Sequence, residues 1–400
     1  AQWRWGHIER KPLTGVDWLL AAMLAVLTAS AILAGTPDVV PPDVGSPMWR
    51  LVMSFAVPGA IYVIARMAPL VHRSWCGWLA VMSLLGVYLS LTALAEVTER
   101  WALVFPRYIA DPMLGIHFGR ARGPELNSAS LGIYLTACLW CAWMLRSQVA
   151  RGWQLMLLIA MPLMALGIFF TYTRSTWIGL AASAAVVGWL QMPRAWRVPM
   201  FTLGALAGVL VATVTWNDVV GLKREGTASE SHHSVDQRKS FTYVSWQMFK
   251  DHPVLGVGFG RFYDRKLPYL SDRSQEFELE SLRPLHHHNT LLSLLVETGI
   301  VGLATFIALL VALAWNAWEL ARDPRVTSWA RSQGVLMLAV VVTYLSSAVF
   351  HDLTLLPSQQ WLLMAFAGLT MNLRLSPCVS EDTKAQASAV EYPTRHHVPA

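Results

Sequence analysis

The chain has 400 residues, 54% hydrophobic and only 14% charged, with nineteen tryptophans and a formal net charge of +6. A soluble domain carries about a quarter charged residues, so the composition excludes a soluble enzyme, and the basic excess belongs to membrane flanks rather than to nucleic-acid binding. Of the four cysteines, Cys76, Cys138 and Cys141 fall in apolar segments and Cys378 in the carboxy-terminal tail. That placement gives neither a disulfide framework nor a zinc site, and no redox role is expected for the Cys138/Cys141 pair.

A bilayer core needs about 20 apolar residues in helical form. In chain order, ten segments meet this: roughly 17–35, 50–67, 75–96, 128–146, 152–171, 175–192, 197–215, 289–315, 330–350 and 356–373. The aromatic stretch 97–118 reads as a re-entrant or interfacial piece, with a hairpin near 97–127 as the other possibility. No cleavable signal peptide is expected. The expected fold is an all-α polytopic membrane protein with about 10–12 transmembrane helices. It divides into amino-terminal helices (1–215), one large loop carrying short helices (216–288), carboxy-terminal helices (289–375) and a disordered polar tail (376–400).

The loops alternate in charge. One side collects Arg4, Arg10, Lys11, Arg66, His72, Arg73, Arg146, Arg151, Arg194, Arg197, Arg322, Arg325, Arg331 and Arg374. The positive-inside rule places that side in the cytoplasm. The large loop is then extracytoplasmic, or periplasmic in a Gram-negative bacterium. It holds ten Lys/Arg, ten Asp/Glu and six of the twelve histidines.

Candidate functional residues gather on the loop side. "LRPLHHHNTLLSLLVETGIVG" places His286, His287 and His288 before an apolar helix. A helix amino terminus disfavours a protonated imidazole, and a neutral histidine suits general base catalysis. The alternative is a solvated histidine run. Metal binding is not expected, because adjacent histidines do not share a helix face. Gly299 and Gly302 are spaced for close approach of a neighbouring helix. Glu297, deep in the span, should face protein and pair with another span. Arg174, on the outer side between two spans, either snorkels to lipid headgroups or binds phosphate as a planar fork. Arg238 starts an amphipathic pattern through Phe241, Val244, Ser245, Met248 and Phe249. Arg120 and Arg122, and Arg261 and Arg265, complete a set of arginines fit for a lipid diphosphate. "EFELE" reads as a solvated edge, with acceptor or calcium binding as the other possibility.

Four stretches, "RARGPELNSASLG", "YTRSTWIGL", "DHPVLGVGFGRF" and "HNTLLSLLVETGIVG", together resemble the O-antigen ligase and polymerase superfamily. The likeness runs from about residue 110 to 315. It is nearer to the O-antigen ligases than to the polymerases or the protein O-oligosaccharyltransferases. The resemblance implies a GT-C-like glycosyltransferase in the bacterial inner membrane. Such an enzyme moves a glycan from undecaprenyl diphosphate to the lipid A-core oligosaccharide on the periplasmic face. It implies His288 as catalytic base, with Arg174 and Arg238, and then Arg120, Arg122 and Arg265, as substrate-binding residues. Neither metal nor other cofactor is implied. The partners expected are the lipid-linked donor, the lipid A-core acceptor and membrane lipids, and no nucleic acid. A lipid-linked glycan transporter is the competing class, and the internal repeat that would favour it is not seen.

Overall fold

The computed structural model describes residues 11–37, 45–214, 228–275 and 278–375. Arg4, Arg10, the tail from 376, Glu276 of "EFELE" and the first part of the large loop, 215–227, lie outside the described residues. The protein is an all-α polytopic membrane protein, helical in every region expected to span and without strands among the described residues.

The helices are α1 (Gly15–Ala34), α2 (Pro47–Met67), α3 (His72–Val97), α4 (Ser128–Leu145), α5 (Arg151–Phe170), α6 (Arg174–Gln191) and α7 (Arg194–Val214). The large loop contributes α8 (Ala228–Asp251) and a single turn, α9 (Phe262–Arg265). The last three are α10 (Thr290–Arg322), α11 (Ser328–Ala348) and α12 (Pro357–Leu375). Six of them, α1 to α5 and α10, are long and apolar enough to cross a membrane. The other four expected spans are helices of 18 to 21 residues. α11 and α12 bury most of their residues against other helices, including Gln333, Gln359 and Gln360. A helix that faces protein needs less apolar surface than one that faces lipid. The stretch 97–118 forms no span; it is irregular, with isolated turns at Trp101–Leu103 and Arg107–Ala110.

The basic helix ends meet on one face. Lys11 donates to Asn372 Oδ1 at 2.7 Å, Arg66 pairs with Asp17 at 3.2 Å, and the His72 ring lies 5.7 Å from Trp329. The opposite face, here the loop face, carries residues 98–127, the α5–α6 turn, the large loop and the α11–α12 connection. α4 sits at the centre, buried along nearly its whole length and packed by α3, α5, α6, α11 and α12.

α10 is broken. Gly299 has φ +63°, outside the helical region. A break inside a membrane leaves backbone groups that lipid cannot satisfy. Here the loop turn after α8 enters the break. Val257 N–H donates to Val296 O at 2.9 Å and Gly258 N–H to Glu297 O at 3.0 Å. In return, Ile300 N–H donates to Pro253 O at 2.9 Å. A Cβ on Gly299 would stand 2.2 Å from Val254 O, and one on Gly256 2.5 Å from the Glu297 carbonyl carbon. The close approach expected at Gly299 is therefore made by a loop turn and not by a helix.

Below the break, buried Arg50 of α2 pairs with Glu297 at 2.9 Å. It reaches Ser293 Oγ at 3.2 Å, Thr354 Oγ1 through Nε at 3.1 Å and Asp352 at 3.7 Å. Ser54 donates to Thr354 O at 2.6 Å. Glu297 thus pairs with another span, as its depth required.

Gly299→Ala is expected to cost at least about 2 kcal/mol through the left-handed φ and the clash, lowering the melting temperature of the detergent-solubilised protein by several degrees. Gly204→Ala, whose Cβ meets nothing within 4 Å, should be neutral. Equal melting temperatures for the two variants would remove the interlock as a stabilising device.

Candidate functional site

Five segments of the loop face contribute side chains. Asn289 caps α10: its Oδ1 accepts from Leu291 N–H at 2.9 Å and Leu292 N–H at 3.0 Å. The three preceding histidines diverge. His287 is buried, with its ring centroid 3.8 Å from Phe262 and its Nε2 3.4 Å from Ser245 Oγ. His286 stacks on Tyr263 at 4.9 Å. His288 alone is exposed on this face, edge-on to Phe241 at 5.1 Å. Although it reaches the surface, the surrounding loop segments desolvate it, and this is the main cause that lowers its pKa. The Asp352 carboxylate opposes that shift, and Arg238 adds to it.

Arg238, exposed on α8, lies over the Phe350 ring at 5.7 Å. Next to Phe350 is His351, whose Nε2 meets Ser175 Oγ at 3.0 Å. Its carbonyl accepts from Thr290 N–H at 3.2 Å and Thr290 Oγ1 at 2.8 Å, which ties the α11–α12 connection to the first turn of α10. Ser175 follows Arg174 at the start of α6, and Arg174 is exposed. From the 98–127 loop, His117 places Nδ1 2.7 Å from Ser128 Oγ, with Arg120 beside it. His117 and His351 are both pushed down to about 4. Burial is the main cause in each, followed by Arg120 for His117, and by His117 and His288 for His351.

Three histidines from three segments thus face one another among arginines. The imidazoles are held neutral and the guanidiniums are not, so the site is cationic and suits an anionic substrate. Beside His288 stands Arg238, and Arg174 begins the helix whose next residue, Ser175, bonds His351. Arg120 joins through His117. Three of the arginines singled out from the sequence lie elsewhere. Arg122 is buried; its Nη2 donates to Ile109 O at 2.8 Å and Asp111 O at 2.6 Å, and its Nη1 to Leu114 O, so it organises the 98–127 loop. Arg265 is exposed on α9 and lines a separate cavity of about 480 Å³ against α1. Arg261 clamps the end of α1, donating to Ala34 O at 2.5 Å and pairing with Asp264 at 2.6 Å.

Sequence reasoning did not single out His117 or His351. Their only signal was position in loops on the same side. Among the described residues, no group of three or more His, Cys, Asp or Glu is arranged to hold a metal ion.

The fold and this site define a polytopic membrane protein with a cationic, histidine-bearing site at one membrane face. Residues 159–307 match the family model described as O-antigen ligase, a match that spans a little over a third of the chain. The matched stretch contains Arg174, Arg238, Arg265 and His288; Arg120, Arg122, His117 and His351 lie outside it. No curated protein matches the chain.

The lowered histidines set a pH dependence of stability. A group protonated near 6.5 when unfolded but near 4 when folded binds more protons unfolded between those values, so stability falls as pH drops through that window. Melting temperature measured from pH 7.5 to pH 5 should therefore fall for the wild type. The fall should be shallower in a His117→Asn, His351→Asn double variant; an identical slope would show these imidazoles to be unburdened in the folded state.

Proposed function

We propose that the protein is an O-antigen ligase. In this reading it transfers a glycan from an undecaprenyl diphosphate donor to the lipid A-core oligosaccharide, at the periplasmic face of the bacterial inner membrane. The observation that carries the reading is the meeting of His288, its pKa lowered, with Arg238, both in a stretch that matches the O-antigen ligase model; Arg174 heads the helix that Ser175 ties to His351. The orientation rests on the basic helix ends gathered on the opposite face.

His288, neutral and accessible, removes the proton from the acceptor hydroxyl as its oxygen attacks the anomeric carbon of the donor sugar. The bond from that carbon to the diphosphate oxygen breaks, and its electron pair leaves with the diphosphate. The proton remains on His288 and is then released to water. Arg174, Arg238 and Arg120 stabilise the charge gathered on the leaving group. A single displacement inverts the anomeric configuration. Arg122 serves by shaping the loop that carries His117 and Arg120. The energy lies in the donor, so no nucleotide is required.

The test is transfer by purified protein from lipid-linked glycan to lipid A-core and to a peptide acceptor. His288→Ala is expected to abolish transfer with donor binding largely kept, and His286→Ala to be far milder. Near-normal turnover in His288→Ala would end the assignment of the base, and transfer to peptide alone would move the protein to the protein O-oligosaccharyltransferases.

Arg174→Lys and Arg238→Lys separate a diphosphate clamp from snorkelling. The planar fork meets two oxygens and lysine does not, so each change should slow transfer by about 30- to 1000-fold, equivalent to roughly 2–4 kcal/mol. Chelation with EDTA should leave the wild type active. Full activity in both lysine variants would sink the clamp.

For kcat/KM, a neutral base that is depressed in the free enzyme places the acidic limb of the pH profile below 6.5. A limb above pH 7 would contradict His288 as that base.

A further inference from the structure

The cavity beside Arg265 takes no part in the chemistry above. It is lined by α1 from Val26 to Ala34, Ser30 included, by the 255–258 turn, by Thr298 and Val301 on either side of the α10 break, and by His252 and Arg265 of the large loop. None of His117, His288 and His351 lines it. From Val26 to Ala34 is eight residue steps, about 12 Å along a helix. That is close to the depth of one leaflet, about half of the 30 Å hydrocarbon core. Apart from Ser30, whose Oγ accepts from Phe259 N–H at 3.0 Å, the α1 wall is apolar, and Leu33 is 79% exposed. At the loop-face end, the Arg265 guanidinium has no ion-pair partner among the described residues. An apolar slot one leaflet deep with one permanent cation at its headgroup end has the charge pattern of an anionic lipid. One cation suits a phosphodiester, whereas the diphosphate of a donor calls for the several arginines around His288.

We propose that this cavity binds a glycerophospholipid with a net-negative headgroup, its phosphate on Arg265 and one acyl chain along α1. The chain lies against Thr298 and Val301, so the lipid supports the joint where the loop turn fills the break in α10. The proposal rests on the membrane placement of α1 and α10 and not on the reaction, so a failure of the transfer assay leaves it standing, and the reverse.

The experiment is native mass spectrometry of the full chain in detergent, titrated with dioleoylphosphatidylglycerol, dioleoylphosphatidylcholine or undecaprenyl diphosphate, with melting temperature as a second readout. The first phosphatidylglycerol should bind about tenfold more tightly than phosphatidylcholine and raise the melting temperature. Arg265→Ala should erase that preference through loss of one charge-assisted contact. Ala29→Trp, which fills the slot, should weaken both lipids. Unchanged binding in both variants would overturn the proposal. So would displacement of the bound phosphatidylglycerol, one for one, by lower concentrations of undecaprenyl diphosphate, which would assign the cavity to the donor.

Discussion

The break in α10 is the constraint on which the rest of the loop face depends. A helix interrupted inside a membrane exposes amides and carbonyls that hydrocarbon cannot satisfy. The 253–258 turn supplies the missing donors and acceptors at Val296, Glu297 and Ile300. It reaches them because Gly256 and Gly299, both at positive φ, leave the space that two Cβ atoms would occupy. Once that turn is fixed, α8 and α9 on either side of it are fixed too. The large loop is thereby folded onto the first turns of α10 by backbone bonds, and Arg238 and Phe241 on α8 are brought to His288.

A second device holds the other side. Thr290, the first residue of α10, donates twice to the His351 carbonyl, and its Oγ1 accepts from Leu353 N–H at 2.9 Å. The α11–α12 connection therefore moves with the amino terminus of α10. Through Ser175 it also touches α6. The segments that carry His288, His351 and Arg174 lie far apart in the chain, and this set of short bonds draws them together. The three consecutive histidines share little beyond sequence. Backbone rotation at successive residues turns His287 into the aromatic cluster of Phe241 and Phe262, lays His286 on Tyr263, and leaves His288 to the open side.

Much of the fold was legible because membrane burial writes itself into long apolar runs, and because basic residues mark helix ends. All ten expected spans are helices, Glu297 does pair across to α2, and helix α10 starts at the Asn289 cap. What was not legible depended on backbone conformation or on pairs distant in sequence. Nothing in "LVETGIVG" distinguishes a glycine at φ +63° from one that admits a neighbouring helix. Arg122 and Arg120 sit two residues apart and look alike as text, yet three loop carbonyls bury the guanidinium of the first and the second stays near His117. His351 lies 63 residues beyond His288 in the eight-residue α11–α12 connection, and only tertiary contact makes it a neighbour.

The balance of charge at the site follows from what is buried beneath it. Asp352 is the carboxylate that raises the His288 pKa, against burial and Arg238. It does not stand alone. Its Oδ1 accepts from Thr354 N–H at 3.0 Å and Thr354 Oγ1 at 2.6 Å, and its Oδ2 lies 3.7 Å from Arg50, which also carries Glu297. A buried cation shared between two carboxylates leaves less negative potential at the surface than an unpaired aspartate would. The net result is a His288 pKa below that of a free imidazole, with Asp352 limiting the fall. The same Arg50 joins α2, the α10 segment before the break and the α11–α12 connection. The group that tempers the imidazole is therefore also the group that holds its surroundings in place, and no change at Arg50 can alter one without the other.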